Sequence, residues 1–546
     1  MGAQTSKIPP EMSSREKVVL DRLASLSLEV DGHDDFVHVD KDANEKNGPN
    51  CLWYREPEGL TVGLTKDWQS KLLQDPKNRL ALSALSGANP RDVLASRAAH
   101  IADQHVFNVR IPLEGAPVTN QRASGRCWLF ASTNVFRVAL MRRYGLHDFE
   151  LSQAYLFFWD KLEKANYFLE NIISTTTTTT AAAGEEDHAL DGRLVQRLFA
   201  DPASDGGQWD MVCNLVRKYG LVPQALYPDA WSAQSSAVLN YVVVGKLREY
   251  GLALRRLAAA ATTSAAALQA AKESMVREIH AVLTLALGPP PSATEPFVWE
   301  FADAAGAARR VRKTPLEFAR DMAAPAPGPL LRALDAPTIL DAYVSLVHDP
   351  RHAPLTRLTV DRLGNVVGGR GVTYVNVAMA TLKRACADML RAGLPVFFGC
   401  DVGKFSSKED GVMDLGLVDY GLGFGVDMYR GKGGLDKEAR LRVGESAMTH
   451  AMVLTGVHVE EKGKGKGKGK GKAKGGDQER YARWRVQNSW GPDVGDKGWF
   501  LMSDAWMDEF VYQAVVDPYF LTREVRDVLK QEPVVLPLWD PMGSLA

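Results

Sequence analysis

The stretch NQRASGRCWLFAS, residues Asn120 to Ser132, sets a glycine-containing turn directly against the start of a helical pattern. From Trp128 onward, WLFASTNVFRVALMRRYGL keeps apolar residues at helical spacing and stops near Gly145. Cys127 therefore falls at a helix N-terminus. A thiol there meets backbone N–H groups that lack intrahelical partners, and the positive end of the helix dipole. Both favour the thiolate, the nucleophilic form of cysteine. A cysteine met alone is more often a small, inert core residue, so the assignment depends on its companions.

Three companions are legible. Gln121 lies six residues upstream, and its side-chain amide can donate to a developing oxyanion together with the N–H of Cys127. His450, in MTHAMVLTGV, opens an apolar strand and supplies the imidazole that a thiolate needs, first as ion-pair partner and then as acid for the leaving amine. Asn488, in VQNSWG, can accept from the second ring N–H and fix the tautomer. Trp490 can shield that hydrogen bond from water and is assigned to the substrate cleft. His458 lies outside any such pattern and receives no role.

Outward from this core, Thr65 to Ala99 has helical spacing broken by Gly and Pro, and VFNVRIPLEG from Val106 alternates like a strand. LSQAYLFFWDKLEKANYFLENII, from Leu151, predicts a second amphipathic helix. The Ala-rich stretch from Ala258 to about Leu287 favours helix on propensity. LPVFFGCDVG from Leu394, AMVLTGVHVE from Ala451 and YARWRVQNSW from Tyr481 predict buried strands. Two low-complexity segments, Thr175 to Asp187 and Lys462 to Gly476, cannot bury a core and are expected as surface loops, the second enlarging a hairpin. Helices early and strands late predict an α+β fold with a helical half and a sheet half.

Composition narrows the class without naming a partner. The 546 residues are 45% hydrophobic and 24% charged, with a formal net charge of −1. That is ordinary for a globular chain and argues for no particular partner. Five cysteines, Cys51, Cys127, Cys213, Cys386 and Cys400, with no C-x-x-C, fit reduced thiols. The histidines show no metal-ligand spacing, so no metal or other cofactor is expected. The N-terminus lacks an apolar signal core, and no apolar run is long enough to span a bilayer. A cytoplasmic location is expected, with a mitochondrial or membrane-associated pool left open. Gly2 and Ser6 match the N-myristoylation motif, so Gly2 is a lipidation candidate. A single acyl chain would give only weak membrane association.

Taken together, Q-x-x-x-x-x-C-W, a strand-borne H-A and N-S-W-G resemble the signatures of papain-type cysteine peptidases, with Arg126 in place of the usual small residue before the cysteine. Further segments resemble the bleomycin hydrolase family, in its fungal-type branch. They include DGGQWDMVCNLVRKYGLVP from Asp205, FFGCDVGKF from Phe397, GDKGWFLMSDAWMDEFVYQAVVD from Gly495 and the terminal WDPMGSLA. The likeness covers most of residues 65 to 546. It implies a papain-like fold, a helical half plus a β-barrel or sheet half, carrying large helical and hook insertions. Cys127 and His450 stand 323 residues apart, which leaves room for them. The expected layout is a polar lead-in over 1–60, a catalytic helical half over 61–190, an inserted helical and hook region for oligomerisation over 191–370, a catalytic β half over 371–532, and a tail over 533–546. The resemblance also implies a cysteine aminopeptidase acting on peptides through a thioester. Bleomycin and homocysteine thiolactone are further substrates on this reading, and the assembly is a homo-hexamer. The tail PVVLPLWDPMGSLA would enter the active-site cleft and present the carboxylate of Ala546 to the α-ammonium of the substrate.

Two rival readings start from other features. The run of lysines at alternate positions from Lys462 to Lys474 could neutralise phosphates and bind nucleic acid, as a second activity or as the main one. It has no interleaved aromatics, which argues against base stacking. A transglutaminase-like acyl transferase would also use Cys and His but usually has Asp third, so Asn488 and Gln121 argue against it.

Overall fold

The computed structural model describes residues 59–177, 188–260, 262–323, 340, 343–426, 428–429, 434–460 and 479–545. Gly2, the Lys462–Lys474 run and Ala546 lie outside the described residues. The chain divides into two units, Met1–Asp75 and Pro76–Ala546. In the first unit, helix Val62–Gln74 is capped by Thr61, whose hydroxyl accepts from the N–H of Leu64 at 3.2 Å.

The nucleophile helix, Cys127–Tyr144, is buried over most of its length, polar Ser132, Thr133, Asn134 and Arg137 included. It stops where the sequence says, because Gly145 adopts a left-handed conformation at φ 64° that other residues rarely take. The second helix, Gln153–Thr177, packs against helices Ala237–Ala259 and Ala265–Leu287. The Ala-rich stretch is thus shared between two helices. The second starts at Ser264, whose hydroxyl accepts from Ala267 N–H at 3.2 Å.

One expectation about the second helix changes. Thr175 to Thr177, assigned to a surface loop, are helical; Thr175 is buried and accepts from Arg255 Nη1 at 2.9 Å, while residues 178–187 lie outside the described residues. Lys161 and Lys164, on the same helix, are both buried.

The sheet half is one twelve-stranded sheet. Strand His450–Val459 lies between Val396–Cys400 and Tyr481–Gln487, antiparallel to both. The strand expected from Val106 pairs only over Val109–Arg110, on the same His450–Val459 strand. Glu460 N–H donates to Arg480 O at 2.9 Å, so the Lys-Gly run joins two paired strands, as a hairpin connection does.

Residues 191–370 hold strands as well as helices. Strands Val344–Val347 and Thr356–Val360 belong to the main sheet, next to Val511–Val516 and Thr373–Asn376. A separate hairpin, Phe297–Ala302 with Ala308–Lys313, packs Trp299 and Phe301 on Tyr144 at the end of the nucleophile helix. These strands are four to six residues long, too short for a clear alternation. The tail completes the far edge, where Val534–Leu536 runs parallel to Thr356–Val360.

Candidate active site

The nucleophile helix packs across strand His450–Val459, which brings its first residue to the first residue of that strand. Cys127 is 3% exposed and His450 4%. The backbone N–H groups of Ala451, the residue after His450, and of Trp128 and Cys127 itself favour the thiolate of Cys127. Burial pushes the thiol up to about 11, and these donors pull against it. Burial also pushes the imidazole of His450 down to about 4, with the Asn488 hydrogen bond opposing. Burial thus disfavours the charged form of each group taken alone. The charged pair forms only by moving the thiol proton onto the ring.

Asn488 holds that ring. His450 Nε2 donates to Asn488 Oδ1 at 2.9 Å, and the same oxygen accepts from Ser489 N–H at 2.8 Å. An amide oxygen with two donors is the acceptor, so Nε2 carries the proton and Nδ1 is the free basic nitrogen. Trp490 tiles the imidazole with ring centroids 4.9 Å apart and planes 30° apart. The indole thus lies against the ring whose Nε2 bonds Asn488.

Gln121 is buried beside the same segment. Its Oε1 accepts from Ser489 Oγ at 2.7 Å, and Gln121 N–H donates to Ser489 O at 2.8 Å. One hydrogen of its Nε2 goes to Ser124 O at 2.7 Å, which leaves the second as an available donor. Four of the sequence-expected residues, Gln121, His450, Asn488 and Trp490, thus form one cluster around the Cys127 end of the helix.

What the sequence left unassigned is the frame that holds the nucleophile turn. Arg126 is fully buried, pairs bidentately with Asp229 at 2.9 and 2.8 Å, and donates from Nε to Ser124 Oγ at 2.9 Å. Phe130 and Phe157 lie under its guanidinium. Asp205 is a second anchor. Its carboxylate accepts from Gly125 N–H at 3.2 Å, Ser236 Oγ at 2.5 Å and Lys161 Nζ at 2.6 Å. Although burial alone would raise its pKa, Lys161 and these hydrogen bonds hold it well below the usual carboxylate range. The only local signal is its place at the head of DGGQWDM.

The tail reaches this frame. Asp205 O accepts from Trp128 Nε1 at 2.7 Å, and Gly207 lies so close to the Trp128 ring that a Cβ would sit 2.5 Å from it. The next residue, Gln208, donates from Nε2 to Ser544 O at 2.7 Å. Upstream, Asp540 is gripped by Arg351 at 2.7 and 3.1 Å, and Tyr374 OH donates to Met542 O at 3.0 Å. The prolines do not keep the tail wholly extended, since Pro541–Gly543 makes one 3-10 turn with Pro at its first position.

The Peptidase C1-like family profile matches residues 59–543. The chain belongs to that family. Bleomycin hydrolase of Gallus gallus is 38% identical over 491 residues, covering 89% of this chain and 99% of that protein. "Cysteine proteinase 1, mitochondrial" of Saccharomyces cerevisiae is 38% identical over 505 residues, covering 91% and 95%. The crystal structure of PepW from Lactobacillus rhamnosis HN001 superimposes with a TM-score of 0.78 at 36% identity, over 89% of this chain and 99% of that one. The chain is thus a papain-type cysteine peptidase with the α+β fold expected of it.

Proposed function

We propose that this peptidase is an aminopeptidase whose nucleophile is Cys127. His450 Nδ1 takes the thiol proton as sulfur attacks the carbonyl carbon. The carbonyl π pair moves to oxygen, which is met by the N–H of Cys127 and the second hydrogen of Gln121 Nε2. Collapse breaks the C–N bond, and His450 gives its proton to the departing amine. Water, deprotonated by Nδ1, then attacks the thioester and thiolate leaves. Asn488 keeps Nδ1 directed at this chemistry throughout, and Trp490 keeps water from its hydrogen bond.

The observation that carries the exopeptidase reading is the seating of the tail. The hydrogen bond from Gln208 to Ser544 ties the chain to the loop packed on Trp128, next to the nucleophile. On this reading the end of the chain takes up groove that an internal peptide stretch would need on the acyl side. The carboxylate expected at Ala546, outside the described residues, would be the counter-charge for a substrate α-ammonium. The likeness to bleomycin hydrolases supports the same reading, and extends it to the bleomycin carboxamide and homocysteine thiolactone. The test compares aminoacyl fluorogenic substrates with their N-acetyl forms, for the full chain and for a chain lacking Asp540 to Ala546. The full chain is expected to prefer free amines strongly. Truncation is expected to weaken that activity and admit acetylated peptides. An unchanged preference after truncation refutes the reading.

A further inference from the structure

We propose that Lys408 and Arg122 form a carboxylate-recognition site on the leaving-group side of the cleft, so that the peptidase favours an acidic group just after the scissile bond. The inference rests on the assignment of His450 as the acid that protonates the leaving amine. The departing segment must then run past the imidazole. Trp490 covers that imidazole, and Lys408 Nζ lies over the Trp490 ring, 5.5 Å from its centroid. With the 4.9 Å between the Trp490 and His450 rings, the ammonium is at most about 10 Å from the imidazole. That is about three residues of extended chain at roughly 3.3 Å each.

Lys408 is exposed and has no carboxylate partner among the described residues. Neighbouring Asp410 instead accepts from Ser407 Oγ at 2.5 Å and lies 3.7 Å from His100 Nδ1. A second cation comes from the nucleophile turn. Asn120 pairs with Trp490 as an isolated bridge, and two residues later Arg122 is exposed at φ 55°, with its N–H tied to Asn120 Oδ1 at 2.9 Å. Left-handed backbone is uncommon at a non-glycine residue and clusters at working sites. The Arg122 guanidinium also has no carboxylate partner among the described residues. One unpaired cation is ordinary surface. Two, from separate loops that meet at the tryptophan covering the reacting imidazole, suit a carboxylate that arrives with the substrate. An Asp or Glu side chain and the free α-carboxylate of a dipeptide share that chemistry.

Four substrates separate the sources: Ala-Glu-amide carries only the side-chain carboxylate, Ala-Ala only the α-carboxylate, Ala-Ala-amide neither, and Ala-Lys-amide the opposite charge. Ratios of kcat/KM are taken within one enzyme, so a general loss of competence cancels. At low salt either carboxylate should raise kcat/KM over Ala-Ala-amide by about 2- to 5-fold, the range for a solvent-exposed ion pair. Ala-Lys-amide should fall below all three. The spread should collapse at roughly 0.5 M salt, where exposed charges are screened. The double variant Lys408→Glu, Arg122→Glu should reverse the order. Running the same set as N-acetyl peptides extended on the acyl side reads the free-amine preference separately, so failure of the exopeptidase reading appears between sets and failure of this one within them. Equal rates for all four at low salt, or an order that survives in the double variant, overturns the proposal.

Discussion

Replacing Asp205 by Asn removes one charge at nearly constant shape, and its consequences follow from the partners already described. Lys161 is fully buried; it keeps Ala203 O, at 2.6 Å, and the new amide oxygen as acceptors but loses the carboxylate that balanced its charge. Removing one member of a buried pair destabilises by about 3–5 kcal/mol, because the remaining charge is uncompensated. This is a large share of the roughly 5–15 kcal/mol that a folded domain holds in reserve. In a chain of this size the dependable readout is kinetic. A loss of about 3 kcal/mol, if expressed in the unfolding rate, accelerates unfolding on the order of 100-fold. The pH dependence gives the reasoning a sign. Burial already lowers the pKa of Lys161 and Asp205 opposes it, so the substitution lowers it further. Between that lowered value and the unfolded value of about 10.4, the unfolded chain binds more protons, so the stability of the variant rises with pH. The contribution of Asp205 itself is constant over this window, since a depressed carboxylate loses its effect only as pH falls through its low folded value. The gap between wild type and Asp205→Asn should therefore narrow from neutral toward alkaline pH. Adding Lys161→Met should recover part of the loss. The assay is urea-driven unfolding followed by tryptophan fluorescence at pH 6, 7.5 and 9. A variant as stable as wild type, or a deficit independent of pH, refutes the account.

Cys127→Ala should abolish hydrolysis and leave the unfolding rate close to wild type, and iodoacetamide should label Cys127 ahead of Cys213, Cys386 and Cys400, which are fully buried; turnover in the variant would remove the central assignment. His450→Ala should be the more severe loss and Asn488→Ala a partial one, while Gln121→Ala should lower kcat by on the order of 100-fold with little change in KM; equal, small losses at all three would contradict their roles. The acid limb of kcat/KM should fall below pH 6.5, because burial lowers the His450 imidazole to about 4 and its basic form persists as pH drops. An acid limb above pH 6.5, traced with a fluorogenic substrate and lost in His450→Ala, would show that the ring gains its proton more readily than its burial allows.

Features set by near neighbours were legible in the sequence alone. The nucleophile helix was readable because its apolar spacing, its turn and its glycine stop all lie within 26 residues, Asn120 to Gly145. Strands Val396–Cys400 and His450–Val459 were readable because a buried strand is a largely apolar run, and Tyr481–Gln487 because its apolar and polar residues alternate. Cys127, His450 and Asn488 stood out because each sits in a local context that chemistry requires. Only the tertiary structure decided the rest. Lys161 and Lys164 are a helical turn apart and pattern as a solvated face, yet both are buried against carbonyls of residues 203–206, some forty positions away. Arg126 looked like a mere departure from a motif until Asp229, 103 residues on, supplied its counter-charge. Short strands at Val344–Val347 and Thr356–Val360 carry no readable alternation and exist because the sheet offers them partners. A pattern of hydrophobicity reports which face is buried only when burial is apolar. Where burial is bought by an ion pair with a distant residue, the local sequence looks like surface, and only the folded chain brings the partner into view.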